Sequence, residues 1–198
     1  MTAGREPRVQ GEDMSALSRD HRPMPNTYWV DPGRFAAGEY PGAWDRNEAA
    51  ARSRTLLQAG IDCFIDLTQQ HEGLEPYAAI AAAEASRLGT EFVHQRHAIV
   101  DMNVPHSRQQ TAGILDAIDE ALDAGKTVYV HCWGGIGRTG TVVGCWFVRQ
   151  GRTGDEALAA IAERWQGMEK RRRHPRSPQT AQQRAYVRNW TESRRSAE

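Results

Sequence analysis

The stretch HCWGGIGRTG, His131 to Gly140, sets a cysteine and an arginine around three glycines. Cys132 is a sulfur nucleophile when ionised, and Arg138 carries a planar fork of donors that matches two oxygens of a phosphate. Gly134, Gly135 and Gly137 lack a Cβ, so the backbone between the two can turn tightly and aim its N–H groups at one point. Such a row of N–H groups at the start of a helix is an anion site, reinforced by the helix dipole. Trp133, Gly134, Gly135, Ile136, Gly137 and Arg138 are therefore the candidate phosphate-binding set. In that positive setting Cys132 is favoured as a thiolate, and a thiolate beneath a bound phosphorus atom is the nucleophile of a phosphoryl transfer. Thr139 stands where its hydroxyl can serve the departing sulfur.

Three rival readings of this loop are weaker. A nucleotide-binding Walker loop requires a lysine where Arg138 stands, and its glycines fall elsewhere. Zinc binding by His131 and Cys132 lacks further ligands at suitable spacing. A plain glycine turn beside a buried cysteine does not explain the Arg-Thr-Gly that follows.

A nucleophile alone does not complete a hydrolysis. Expelling an alkoxide or phenoxide needs a proton donor, and opening a phosphothiol needs a base, roles that one carboxyl group can combine. Asp101, in HAIVDMNVP, leaves a strand-like stretch with Pro105 stiffening its loop, and Asp66 is the rival carboxylate.

The elements needed to position these groups are legible in outline. TYWV and RFAAGEY read as two short strands around the turn DPG. Asp45 caps a helix that ends at Gly60, and IDCFIDLT follows as a strand apolar on both faces, as a buried parallel strand should be. LEPYAAIAAAEASRLG is helical in composition, TEFVHQRHAIVD is a strand, and Ser107 caps a helix carrying Ile114, Leu115, Ile118 and Leu122 at helical spacing. KTVYVH is the strand before the glycine loop. Helices are expected at about 139–150, 154–166 and 178–193, the second opening on Thr153 and Glu156 as a capping box. Alternating strands and helices give an α/β domain with a central, mostly parallel sheet flanked by helices. In such a sheet ligands gather beyond the carboxyl ends of the strands, which groups the loops after Thr68, Ala98 and Cys132 on one rim.

Composition narrows the classes. The 198 residues suit one domain of ordinary size, with 1–25 expected as a disordered N-terminal tail and 26–194 as the catalytic domain. The 25 basic and 25 acidic residues cancel, no apolar run approaches a membrane span, and the three cysteines form no disulfide framework. The expectations are a cytoplasmic protein with no metal or cofactor, no membrane association and no nucleic-acid partner.

With these residues in view, the chain resembles the cysteine-based protein tyrosine phosphatase superfamily, of dual-specificity type. HCWGGIGRTG matches its His-Cys-x5-Arg-(Ser/Thr) signature, DMNVP its Asp-x-x-x-Pro acid loop, and YWVDPGRFAAGEYPG its opening hairpin. The resemblance runs from about Asn26 to Trp190. It implies a phosphocysteine intermediate on Cys132, a supporting role for His131, Asp101 as general acid, and phosphate, sulfate or vanadate as ligands of the loop. Asp66 is disfavoured because IDLT resembles a core strand of the family. SPQTAQQRAYVRNW resembles a C-terminal glutamine segment, which nominates Gln179, and after it Gln183, as groups placing the hydrolytic water.

The implied activity is metal-independent hydrolysis of phosphotyrosine and of phosphoserine or phosphothreonine in proteins, because the aromatic recognition stretch of the strictly tyrosine-specific enzymes is absent. Alternatives using the same loop are RNA 5′-phosphate hydrolysis or phosphoinositide and inositol-phosphate hydrolysis, and, in another class, a pseudophosphatase that binds without turnover. Trp133 and Ile136 stand where lipid-directed relatives tend to carry lysines, and the indole of Trp133 is expected behind the loop. The basic run Lys170 to Arg176 reads as a solvated loop or an attractor of anions. Cys63 and Cys145 are expected as inert core thiols.

Overall fold

The computed structural model describes residues 22–192. Five strands, β1 (Thr27–Asp31), β2 (Phe35–Gly38), β3 (Cys63–Asp66), β4 (Val93–Arg96) and β5 (Val128–His131), form one sheet in the order β1-β2-β5-β3-β4. The β1–β2 hairpin is antiparallel and the other pairings are parallel, with Asp66 opposite both His131 and Arg96. This is the mostly parallel α/β architecture expected.

Side-chain alternation along the strands builds two cores. Phe35, Cys63, Ile65, Val128 and Val130 face one side of the sheet, and Ala36, Phe64 and Tyr129 the other. The first face is covered by α3 (Arg108–Asp123), α4 (Gly137–Arg149), α5 (Gly154–Trp165) and α6 (Ala181–Arg188). The second is covered by α1 (Arg46–Gln58) and α2 (Ala78–Leu88). Asp45 caps α1 by accepting from the Glu48 N–H, Ser107 caps α3 by accepting from that of Gln110, and Thr153 with Glu156 closes the expected capping box on α5.

Four boundaries differ from the sequence expectation. The last helix, expected over 178–193, is α6 alone, because Thr180 takes extended backbone and caps it together with Gln183. A 3-10 turn, Glu169–Arg172, carries the start of the basic run. The strand expected over 90–101 keeps ladder geometry only at Val93–Arg96, beyond which His97 and Ile99 donate to the carbonyls of Asp66 and Leu67. Of the expected tail, residues 1–21 lie outside the described residues, as do 193 and 194 at the far end of the expected domain. Met24, inside that expected tail, is buried, and its N–H and carbonyl both bond the Thr27 hydroxyl, so packing starts before Asn26.

Among the described residues no helix is long and apolar enough to cross a membrane. Cys63 and Cys145 are free and buried; burial pushes the Cys63 thiol up to about 11 and that of Cys145 higher still.

Phe64 is fully buried, with the rings of Phe92, Tyr129 and Tyr77 at 5.1, 5.8 and 6.1 Å between centroids. Phe64→Ala is expected to cost about 3–5 kcal/mol of unfolding free energy, read as a lower denaturant midpoint at unchanged slope.

Candidate active site

β5 ends at His131, and α4 begins at Gly137, so five residues, Cys132 to Ile136, turn the chain from sheet to helix. Cys132 is 3% exposed. It lies in a cleft of about 370 Å³ lined also by Asp101, Gly134, Gly137, Arg138 and Gln179.

The loop's carbonyls are held from outside. That of Cys132 faces His131 Nδ1 at 3.4 Å, and that of Trp133 accepts the Tyr40 N–H at 2.9 Å. Lys170 Nζ reaches the Gly134 carbonyl at 3.2 Å, and the buried Ser177 hydroxyl reaches that of Ile136 at 2.8 Å. In a trans peptide the C=O of one residue and the N–H of the next point in opposite directions. Fixing these four carbonyls also fixes the directions of the N–H groups that follow them, those of Trp133, Gly134, Gly135 and Gly137, beside the N-terminus of α4 with its positive potential. Gly135 makes the turn possible. Its φ is +71°, and a Cβ there would lie 2.4 Å from the carbonyl carbon of Gly38.

Arg138 is buried and carries its charge between two carboxylates. Nη2 lies 2.9 Å from Glu72 Oε2 and 2.9 Å from Asp101 Oδ1, while Nη1 bonds the Glu72 carboxylate and the Ile99 carbonyl. Burial opposes the guanidinium charge, but the Glu72 hydrogen bond and the neighbouring Cys132 and Asp101 outweigh it and raise its pKa. Arg138 Nε and the Thr139 hydroxyl are buried without a hydrogen-bond partner among the described residues. Two orphaned polar atoms in one site cost roughly 1–3 kcal/mol each. A bound oxyanion would relieve that cost at Nε.

His131 is buried, and burial lowers its pKa from 6.5 to about 4. The ring is therefore neutral at physiological pH. Its Nε2 lies 2.7 Å from the hydroxyl of Tyr77, whose own pKa burial raises far above 10, so the phenol donates and Nε2 accepts. The proton then sits on Nδ1, facing the Cys132 carbonyl and, at 4.0 Å, Asp66 Oδ1.

Asp66 is occupied in this framework. It accepts from the Thr68 N–H and hydroxyl and pairs with Arg96 and His94. Burial pushes its pKa up, but His94, His131 and Thr68 together hold the carboxyl well below the usual range. The cleft-facing carboxylate is instead Asp101, half exposed, in the loop preceding Pro105.

The two glutamines separate. Gln183 is buried, its amide donating to the Asn103 carbonyl at 3.0 Å and accepting from the Thr180 N–H at 3.0 Å, so it ties α6 to the Asp101 loop. Gln179 precedes α6, lines the cleft, and its side chain has no hydrogen bond among the described residues. One expectation is overturned: Trp133 is not behind the loop but 60% exposed at the rim, because its carbonyl is pinned to Tyr40 and the core beneath is already filled by Tyr40, Tyr77 and His131.

Sequence reasoning also missed the partners of the loop. Glu72, Lys170 and Ser177 lie 66, 36 and 41 positions from the residues they hold. The only available signal was that Glu72 falls in a rim connection and Lys170 in the basic run.

A family model described as "Polymorphic toxin system, DSP-PTPase phosphatase" matches residues 41–152. Among solved structures, the active form of Tk-PTP is 29% identical over 82% of this chain and 94% of that one, with a TM-score of 0.57. PTPMT1 in complex with PI(5)P shares 18% identity over 82% and 92% of the two chains, with a TM-score of 0.60. P. aeruginosa TpbA in complex with pTyr shares 16% over 85% and 86%, with a TM-score of 0.55. The last two likenesses are of fold.

Two outcomes are expected from this geometry. Gly135→Ala forces a left-handed, overcrowded residue, costing about 1–3 kcal/mol of stability and weakening vanadate affinity in a thermal-shift titration. For His131, the unfolded chain binds a proton near pH 6.5 that the folded one refuses until about pH 4. Stability should therefore fall as pH drops through that window, by roughly 3 kcal/mol. Asp66 acts lower, its contribution being lost only below the ordinary carboxylate range. His97, also lowered by burial, adds to the same slope as His131 and persists in a variant. His131→Asn should flatten most of the pH 4–6.5 dependence in urea titrations.

Proposed function

The chain belongs to the DSP-PTPase phosphatases of polymorphic toxin systems, and from that premise we propose that it hydrolyses phosphotyrosine and phosphoserine or phosphothreonine in proteins through a phosphocysteine intermediate. The observation that carries this reading is the convergence of Cys132, Arg138 and Asp101 on one cleft, with Asp101 Oδ1 2.9 Å from the guanidinium. The Cys132 thiolate attacks phosphorus, forming the S–P bond as the P–O bond to the leaving group breaks. Asp101 gives its proton to the departing oxygen. The loop N–H groups take the charge on the three equatorial oxygens together with Arg138, whose Nε is unpaired among the described residues and whose Nη2 would exchange its bond to Asp101 for one to substrate.

In the second step Asp101, now ionised, takes a proton from water as that water attacks phosphorus. The sulfur leaves as thiolate, with the Thr139 hydroxyl as its donor, and phosphate is released. Gln179 holds the water, since its amide is uncommitted while that of Gln183 is used in capping. His131 positions the nucleophile by fixing the first loop carbonyl. The breadth toward serine and threonine is supported by the rim, where Met102 and Trp133 of the cleft lining are exposed.

The test is turnover of aryl phosphates in chelator. Cys132→Ser is expected to abolish hydrolysis while still binding inorganic phosphate. Asp101→Asn should lower kcat by about 10²–10⁴ for poor leaving groups, and far less for nitrophenolate, giving a steep dependence on leaving-group pKa. Undiminished turnover by Cys132→Ser would end the reading.

A further inference from the structure

Beside the cleft lies a second groove of about 280 Å³, and Trp133 and Lys170 line both. Its lining also includes Trp44, in the connection between β2 and α1. Of the six tryptophans, Trp29, Trp146, Trp165 and Trp190 are buried, whereas Trp133 is 60% and Trp44 85% exposed. Neither indole is needed to fill a core, and large exposed aromatics flanking a concave surface mark recognition sites.

The charges in the groove select its occupant. Lys170 is neutralised by Glu39 at 2.5 Å while donating to the Gly134 carbonyl, and Arg52 is paired with Glu48 at 2.6 Å. The carboxylate of Glu75, on the same lining, has no cationic partner among the described residues. The backbone there is fixed, since the Glu75 carbonyl accepts the Tyr40 hydroxyl at 3.0 Å and the Tyr40 N–H holds Trp133. Two indole faces and one unpaired carboxylate match a flat cation on an apolar stem, which stacks on the rings and donates to the acid.

We propose that the Trp44–Trp133 groove is a second substrate subsite that receives an arginine side chain of the phosphorylated protein. The subsite rests on the phosphoprotein reading above. Because Trp133 follows Cys132 directly, the arginine stands within about three residues of the phosphorylated one, at about 3.3 Å of extended chain per residue. Guanidinium is preferred to ammonium because it is planar and more weakly hydrated.

The test compares kcat/KM on phosphotyrosine peptides carrying arginine, alanine or glutamate at each of the three positions on either side. Wild type is set beside Trp44→Ala and Glu75→Gln, with nitrophenyl phosphate as the reference substrate. Arginine at one position should raise kcat/KM about tenfold over alanine, with glutamate lower still. Each variant should remove most of that preference while leaving nitrophenyl phosphate turnover unchanged. Equal rates on all peptides, or an arginine preference that survives both variants, would overturn the subsite. Hydrolysis of nitrophenyl phosphate with no peptide accepted would instead bring down the phosphoprotein reading, and the subsite with it.

Discussion

A loop can aim its N–H groups at an anion only if its carbonyls are satisfied on the other side. Peptide planarity makes the two requirements one, since orienting a C=O orients the following N–H. Here the outward partners are a histidine ring, a backbone N–H, an ammonium and a hydroxyl, drawn from β5, the segment after β2, the basic run and the stretch before α6. Each would otherwise be an unremarkable packing contact. Together they fix the backbone of the loop before any ligand is present, and fixed dipoles are the kind that stabilise charge at least reorganisation cost.

The second organising feature is the placement of charge around Arg138. A buried guanidinium needs compensation, and Glu72 and Asp101 provide it from two rim loops. That pairing also draws the two loops onto the mouth of the cleft. Asp66, buried deeper, is taken up by Thr68, His94 and Arg96, and lies as an anchor beneath His131. Asp66 at the end of β3 and Asp101 in the loop after β4 thus have opposite surroundings.

Much of the fold was legible because its signals are local. Alternation along CFID and VYVH, the caps at Asp45, Ser107 and Thr153, and the glycine loop all act within a few residues. The start of the last helix was harder to place. Thr180 and Gln183 satisfy the first N–H groups of α6 reciprocally, stopping the helix short of Pro178, and composition in that segment does not reveal it. Trp133 was misplaced because burial of an indole is a good rule wherever space exists, and the space behind this loop belongs to three other rings.

The sequence by itself determined that a cysteine, an arginine, the glycine turn between them and a carboxylate on a neighbouring loop belong together, since residue type and short spacing carry that pattern. It also determined the parallel sheet that carries them to one rim. Only the tertiary structure decided which carbonyls are pinned, that Glu72 shares Arg138 with Asp101, that Gln183 is a strut while Gln179 is free, and that Trp133 faces solvent across a groove from Trp44. The physical reason is distance along the chain. These contacts join residues tens of positions apart, and their energies depend on burial and direction that no local pattern encodes.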